Sequence, residues 1–161
     1  MFTGIIEELG IVKNIEKEKE NIHFTIRSGI SEELKVDQSV SHNGVCLTVV
    51  KQEGDSHTVT AIKESLDRSN LGSLEIGSKI NLERCMTMDN RLDGHMVQGH
   101  VDSVAICTDI QDANGSWVFR FKVDRQYDKL MIEKGSISIN GTSLTVHDIK
   151  DGEFSVSIIP Y

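Results

Sequence analysis

The sequence predicts a mainly β protein built from two tandem copies of a small antiparallel barrel, the second of them incomplete at its C-terminal end. Residues Ser39 to Val49 (SVSHNGVCLTV) recur as Ser136 to Val146 (SISINGTSLTV), with seven of eleven positions identical and a constant offset of 97. A match of a chain to itself at a fixed spacing indicates an internal duplication. The first copy also contains about six short stretches with strand character, as expected of a small antiparallel barrel.

Alternating apolar and polar residues and turn-forming dipeptides define the elements of the first copy. Residues 21–28 alternate with period 2, which is typical of a half-buried strand and places His23 on the outward face. Asn43-Gly44 accepts the positive φ of a tight hairpin turn, so two strands should meet there. The expected elements are a strand over 1–12, a charged hairpin loop over 16–20, a strand over 21–28, a helical turn over 31–34 capped by Ser31, two strands within 39–50, a strand over 57–63, a helical stretch over 64–69 and a strand over 79–84.

The second copy follows a polar linker and stops early. Residues 87–92 lack any period, so we divide the chain into a first domain over 1–88 and a second over 93–161. The expected elements of the second domain are a strand over 117–123, a helical segment over 126–133 and a strand over 155–159. No counterpart of the strand 79–84 precedes the end of the sequence. Because a barrel short of one strand has an open edge, we expect either a longer natural chain or a partner that covers that edge.

The composition excludes several classes of function. A net charge of −8 and a pI near 5.2 oppose binding to nucleic acid or to an anionic membrane, since phosphate binding needs clustered lysine and arginine. Neither a signal peptide nor a membrane span is apparent, and the three cysteines lack metal-type spacing. We therefore expect a reduced, cytoplasmic protein.

A thiol and three hydroxyls occupy equivalent positions in the two copies. Cys46 and Thr48 follow the first Asn-Gly turn on one side of a strand, and Ser143 and Thr145 hold the same places in the second copy. If these side chains face the barrel interiors, they leave space and hydrogen-bonding capacity for two similar ligand pockets. Alternatively, the two threonines lie on outward strand faces, which threonine favours. The duplication favours the pockets.

The histidines suggest one candidate base and no metal site. His100 lies in a Gly-His-Val turn and is suited to proton transfer near neutral pH. His95 precedes it by five residues, a spacing that fits neither a helix face nor a strand face, and no acidic pair completes a zinc site. We expect surface strand positions for the remaining histidines of the repeats, which are His42, His57 and His147.

The surrounding motifs resemble those of riboflavin synthases of the alpha-chain type. The matching motifs are Met1-Phe2-Thr3-Gly4-Ile5-Ile6, the two Asn-Gly-x-x-Leu-Thr-Val elements, Asn70-Leu71-Gly72, the segment from Gly94 to Asp102 (GHMVQGHVD) and Ile159-Pro160-Tyr161. The resemblance implies two six-stranded Greek-key barrels, each binding one molecule of 6,7-dimethyl-8-ribityllumazine. It also implies the dismutation of two such molecules to riboflavin and 5-amino-6-ribitylaminouracil, with no metal or cofactor. The alternative on the same scaffold is a non-catalytic lumazine or flavin carrier.

The resemblance also implies site residues at the matching positions. The first barrel's set is Gly4, Ile5, Ile6, Cys46, Leu47, Thr48, Thr60, Ala61, Ile62, Lys63, Glu64 and Ser65. The second barrel's set is Gly99, His100, Val101, Lys134, Ser143, Leu144, Thr145, Ser157, Ile158, Ile159, Pro160 and Tyr161. The residues expected around the reacting rings are Cys46, His100, Ser143 and Thr145, with Ser39 nearby. Their expected tasks are to remove a proton from the C7 methyl group of one lumazine and to add or position a nucleophile at C7 of the other.

The resemblance further implies a homotrimer, in which the productive site forms between the first barrel of one subunit and the second barrel of its neighbour. The family builds this trimer with a C-terminal helix, which the given sequence does not contain. Asn140 stands where some members carry Asp, and this exchange removes one candidate acid from the second copy.

Overall fold

The computed structural model describes residues 1–160, so the predicted site residue Tyr161 lies outside the described part. The strands of the first half are β1 (Glu8–Glu18), β2 (Asn21–Arg27), β3 (Ser39–His42), β4 (Val45–Glu53), β5 (Ser56–Ala61) and β6 (Lys79–Arg84). Those of the second half are β7 (Ile106–Asp112), β8 (Trp117–Lys122), β9 (Ser136–Ile139), β10 (Thr142–Lys150) and β11 (Glu153–Ile158). The helix α1 spans Lys63–Arg68, and short 3-10 helices span Gly29–Glu33, Asn70–Ser73 and Arg125–Leu130.

The first half forms a closed antiparallel barrel in the order β1-β2-β5-β4-β3-β6, which confirms the predicted fold class. Asn43 and Gly44 form the tight turn between β3 and β4 with φ of 49° and 85°, the left-handed conformation that this dipeptide tolerates. Alternate residues of the strands point inward, so a continuous hydrophobic core that includes Val49, Val59 and Leu82 fills the barrel.

The second half is a sheet in the order β7-β8-β11-β10-β9, and its Asn140-Gly141 turn repeats the first with φ of 47° and 83°. Its buried core is small, consisting of Val146, Phe154 and Val156 with half-buried side chains packed around them. Within residues 1–160, no strand of this half takes the place that β6 has between β1 and β3. The strands β7 and β9 therefore form the two edges of the sheet.

Two local predictions in the first half are wrong. The predicted strand over 1–12 begins only at Glu8, and the charged residues expected in a loop continue β1 as far as Glu18, because their side chains reach solvent while the backbone pairs with β2. The helical turn starts earlier than predicted, as the 3-10 helix Gly29–Glu33 with Ser28 at its N-cap position. Ser31, the predicted cap, is instead buried inside the barrel.

The prediction of surface positions for His42 and His57 is also wrong, because their side chains are 0% and 1% exposed. They lie on the inward faces of β3 and β5, with 2.9 Å between the two Nε2 atoms. His42 Nδ1–H donates to the Val40 carbonyl at 3.1 Å, and the Ser31 hydroxyl donates to His57 Nδ1 at 2.8 Å. This leaves His57 Nε2–H to donate to His42 Nε2, so both rings are paired while both are neutral.

Burial and this pairing explain why the pKa values of the two rings are low. Burial, together with the neighbouring His57, lowers the pKa of His42 to about 3. Burial likewise lowers the pKa of His57 to about 4. Protonation of His42 would place two N–H groups against each other, and protonation of His57 would place an N–H against the Ser31 hydroxyl that now donates to it, both in a site that water does not reach. His147, the third histidine of that prediction, is half-buried on β10, where it contacts Asp148 and Ser157.

Candidate ligand-binding site

The repeated thiol and hydroxyl positions lie on the outer wall of the barrel, not in its interior. In β4, Leu47 and Val49 point into the core, so Cys46 and Thr48 face outward and Thr48 is exposed. Ser39 of β3 lies directly opposite Thr48, and Ser41 lies opposite Cys46. The idea that these side chains line the barrel interior is therefore wrong, and for Thr48 the outward-face alternative is correct.

The second half repeats this arrangement on β9 and β10. Ser143 and Thr145 stand opposite Ser138 and Ser136, and Thr145 is exposed. Leu144 packs toward the small core of the sheet, as Leu47 does in the barrel. Each half thus presents the same row of small polar side chains on the outer face of its Asn-Gly hairpin.

Each of these rows is completed by a segment from the other half of the chain. The backbone N–H of Ser143 donates to the carbonyl of Gly4 at 2.7 Å, and that of Cys46 donates to the carbonyl of Gly99 at 2.9 Å. Phe2 and Val97 pair with each other as an antiparallel bridge between the two segments. The expected grouping of Gly4, Ile5 and Ile6 with Cys46, and of Gly99, His100 and Val101 with Ser143, is therefore wrong, because the two segments are exchanged.

The close approach of the segments requires glycine at both crossing points. Gly4 and Gly99 have φ of 77° and 86°, in the left-handed region. A Cβ atom on Gly4 would lie 2.7 Å from Cβ of Ser143, and one on Gly99 would lie 2.5 Å from Cβ of Cys46. No side chain fits at either position without displacing the strand that bears the thiol or hydroxyl.

A buried carboxylate fixes the N-terminal segment. Glu83 of β6 shares the outer face with Ser41, its cross-strand partner, yet is only 3% exposed because the segment covers it. Its carboxylate accepts hydrogen bonds from the backbone N–H of Thr3 at 2.6 Å, the hydroxyl of Thr3 at 2.6 Å and the backbone N–H of Gly4 at 3.0 Å. Charge-assisted bonds of this kind hold the segment in one position.

Asparagine side chains join the halves near the two hairpin turns. Asn70 Nδ2 donates to Asn140 Oδ1 at 3.1 Å, and Asn81 Nδ2 donates to the Asn140 carbonyl at 2.9 Å. A Cβ on Gly44 would lie 2.8 Å from the backbone nitrogen of Gly141, so the turns stand back to back. Asn140 therefore has a structural contact with the first half.

His95 makes the two rows unequal, and the sequence reasoning did not include it among the site residues. Its Nδ1 lies 2.6 Å from Oγ of Ser143, and burial lowers its pKa. The five-residue spacing of His95 from His100 bears only on a metal-ligand role and argues against it. The signal available in the sequence was its place within the Gly94 to Asp102 motif.

The predicted residues of β5 and α1 lie beside the first row. The hydroxyl of Thr60 bonds to His23 Nδ1 at 2.8 Å on the outer wall, while Ala61 is buried in the core. Ile62, Lys63 and Glu64 are exposed at the start of α1, where Lys63 pairs with Asp67 at 2.6 Å. Ser65 lies within the same helix and is half-buried.

The remaining predicted residues are spread over both halves. Val101 packs against the core of the first barrel, which agrees with the exchange of segments, and His100 beside it is exposed. Lys134 forms a turn with φ of 64° and donates its N–H to Val146. Ser157 bonds to His147 at 3.0 Å, Ile158 packs against the second core, and Ile159 and Pro160 are exposed.

A cavity of about 820 Å³ lies next to the N-terminal segment and is large enough for a small organic ligand. Its walls include Ile5 and Ser39 from the predicted set, together with Thr3, Glu83 and Asp93. Neither Cys46 nor Ser143 lines it. In the described part of the chain, no group of acidic, cysteine and histidine side chains is arranged to hold a metal ion. Among residues 1–160, no helix is long and apolar enough to cross a bilayer.

The fold and the paired polar rows define a duplicated, mainly β protein. The family model of the lumazine binding domain matches residues 3–85 and again residues 98–161. Riboflavin synthase of Actinobacillus pleuropneumoniae is 41% identical, and that of Bacillus subtilis is 37% identical, each over 100% of this chain and 75% of the relative. The chain therefore belongs to the lumazine-binding family and is a protein of the riboflavin synthase type.

Solved structures of a related binding protein share the fold. The crystal structure of LumP complexed with riboflavin matches with a TM-score of 0.90 at 25% identity, covering 99% of this chain and 87% of that one. LumP complexed with 6,7-dimethyl-8-(1'-D-ribityl) lumazine matches with a TM-score of 0.87 at 26% identity, covering 99% and 86%. The mainly β fold with two lumazine-binding repeats is thus common to both groups of proteins.

Proposed function

We propose that the chain is a riboflavin synthase, which converts two molecules of 6,7-dimethyl-8-ribityllumazine into riboflavin and 5-amino-6-ribitylaminouracil by transfer of a four-carbon unit. The observation that carries this proposal is the presence of two equivalent polar rows, each completed by a segment of the other half. A reaction between two identical molecules needs two matched sites, and holding both reactants in place supplies a large part of the rate enhancement. The relatives named riboflavin synthase, at 37% and 41% identity, support the same activity.

We further propose which residues bind each lumazine, using the exchanged grouping. The first site would use Cys46, Leu47 and Thr48, residues 60–65 and the segment 99–101. The second would use Gly4, Ile5 and Ile6 with Lys134, residues 143–145 and residues 157–161. The contacts Gly4 to Ser143 and Gly99 to Cys46 are the support for this division. Assignment of the halves 1–88 and 93–161 as separate binding domains is part of the same proposal.

We propose that Cys46, His100, Ser143, Thr145 and Ser39 surround the reacting rings. The two tasks are removal of a proton from the C7 methyl group of one lumazine and presentation of a nucleophile at C7 of the other. We also propose that the protein forms a homotrimer. We propose a cytoplasmic location as well, which the three unpaired thiols support.

Incubation of the purified chain with 6,7-dimethyl-8-ribityllumazine tests the activity. Riboflavin should form with one molecule produced for every two lumazines consumed, as followed by absorbance and chromatography. Lumazine that stays unchanged with the folded protein, shown by circular dichroism, would exclude the enzymatic function.

The second candidate is a non-catalytic carrier, which the likeness to LumP favours. Both polar rows are retained here, which fits two working sites better than a single binding site. Titration with riboflavin separates the two functions. A carrier should bind one riboflavin per chain and hold it tightly, whereas an enzyme must release this product.

A further inference from the structure

Ser143 is fixed at both its backbone and its side chain. Its N–H donates to the carbonyl of Gly4, and its Oγ lies 2.6 Å from Nδ1 of His95. The backbone N–H of His95 in turn donates to the carbonyl of Thr3 at 2.9 Å, and a Cβ on Gly94 would lie 3.0 Å from Cβ of Ser143. The imidazole is therefore placed against the hydroxyl by the same crossing that completes the second row.

The equivalent position in the first half has a thiol without such a partner. The backbone N–H of Cys46 donates to the carbonyl of Gly99, as that of Ser143 does to Gly4. Within residues 1–160, however, no titratable side chain is hydrogen-bonded to Cys46 Sγ. One histidine thus breaks the chemical symmetry of an otherwise duplicated arrangement.

Burial also bears on the hydrogen bond between His95 and Ser143. His95 is half-buried, and burial disfavours its charged form. In the tautomer that carries its proton on Nε2, the neutral ring accepts the Ser143 hydroxyl proton at Nδ1, which leaves the lone pairs of Oγ available to a ligand. A hydroxyl within 2.6 to 3.2 Å of an imidazole nitrogen is the arrangement of an activated nucleophile.

We propose that His95 is the positioning residue and proton acceptor for Ser143, so that the second half carries the nucleophile and the first half does not. This inference rests on the proposed function. As Oγ of Ser143 bonds to the electrophilic C7 carbon of the bound pteridine, its proton moves to Nδ1 of His95. The electron pair of the ring double bond at C7 moves through the conjugated ring to a carbonyl oxygen, and reversal of the step returns the proton and releases Oγ.

Substitution of His95 by Asn tests the proposal, because Asn keeps an acceptor oxygen near the place of Nδ1 but is not a base. Under the proposal, H95N lowers kcat by about 100-fold or more, the usual contribution of a general base, with KM little changed. A residue that merely supports the structure would retain kcat in H95N.

A double-mutant cycle identifies the partner. H95N and S143A should be non-additive, with the double variant no slower than S143A alone, whereas H95N and C46A should multiply their effects. Thermal unfolding of every variant reports whether it folds. A kcat for H95N within threefold of the wild type would overturn the inference while leaving the proposed function intact. A wild-type chain that forms no riboflavin would overturn both.

Discussion

Acid should destabilise this protein through the buried pair of His42 and His57. In the fold both rings are neutral, and each is satisfied by a chain of hydrogen bonds from Ser31 to the Val40 carbonyl. A proton on His42 puts a second N–H into the 2.9 Å gap between the two Nε2 atoms, and a proton on His57 removes the acceptor of the Ser31 hydroxyl. The unfolded chain has no such restriction, so lowering the pH favours the unfolded state.

The size of the effect follows from the two pKa shifts. Histidine has an ordinary pKa of 6.5, whereas the folded values are about 3 for His42 and about 4 for His57. Below pH 6.5, each ring lowers the free energy of unfolding by about 1.4 kcal/mol per pH unit, and the loss ends near the folded pKa of that ring. At pH 5 the pair therefore removes about 4 kcal/mol, a large share of the 5–15 kcal/mol that is typical of a folded domain.

Urea unfolding at about pH 7.5 and about pH 5 measures this difference. The variant H42L/H57L lacks both titrating groups, so its loss of stability between the two pH values should be smaller than that of the wild type by about 4 kcal/mol. H100Q, which changes an exposed histidine, serves as the control and should keep the full loss. An equal loss in H42L/H57L and the wild type would refute the assignment of the acid sensitivity to this pair.

Three further predictions concern the crossing of the two halves. G99A should lower the free energy of unfolding by about 2–4 kcal/mol, since the new Cβ meets Cβ of Cys46 at a positive φ. Urea unfolding measures this loss. The control is G72A, whose new Cβ would make only ordinary contacts, so its stability should stay near that of the wild type. E83Q should lower the free energy of unfolding by about 1–3 kcal/mol, because the glutamine side chain cannot accept all three hydrogen bonds that the carboxylate accepts. Backbone hydrogen exchange in the N-terminal segment should become faster, and an unchanged exchange rate would contradict this. The exchange C46S/S143C should alter turnover more than lumazine binding, and equal turnover would mean that neither side chain takes part in the chemistry.

The hairpins and the barrel were predictable because their determinants are local. Asn-Gly specifies a turn wherever it occurs between alternating strands, and the repeat shows that both turns serve the same architecture. The alternation of residues along the strands also indicates that the two histidines are buried. His57 shares a face with Val59 and Ala61, and His42 shares one with Val40, all of which are buried. The surface prediction is wrong because position in the strand, and not the usual polarity of histidine, decides which face these side chains occupy.

The exchange of segments was not available from the sequence. Gly4 and Gly99 clearly correspond to each other, but the repeat does not say which half each of them packs against. That choice depends on how the two halves are docked, a contact between residues far apart in the chain. The pairing of His95 with Ser143 has the same origin, since 48 positions separate them. Local pattern specified the elements, and tertiary packing decided which elements share a site.

The crossing of the segments also bears on how the two repeats can diverge in evolution. In an ordinary tandem duplication, one copy can accumulate substitutions while the other preserves the original role. Here a change at Gly4 alters the surroundings of Ser143, and a change at Gly99 alters those of Cys46. Selection on each repeat therefore also acts through the site in the other repeat. At the two crossing points themselves the repeats differ at Cys46 and Ser143, where an exchange changes the chemistry without disturbing the backbone contact.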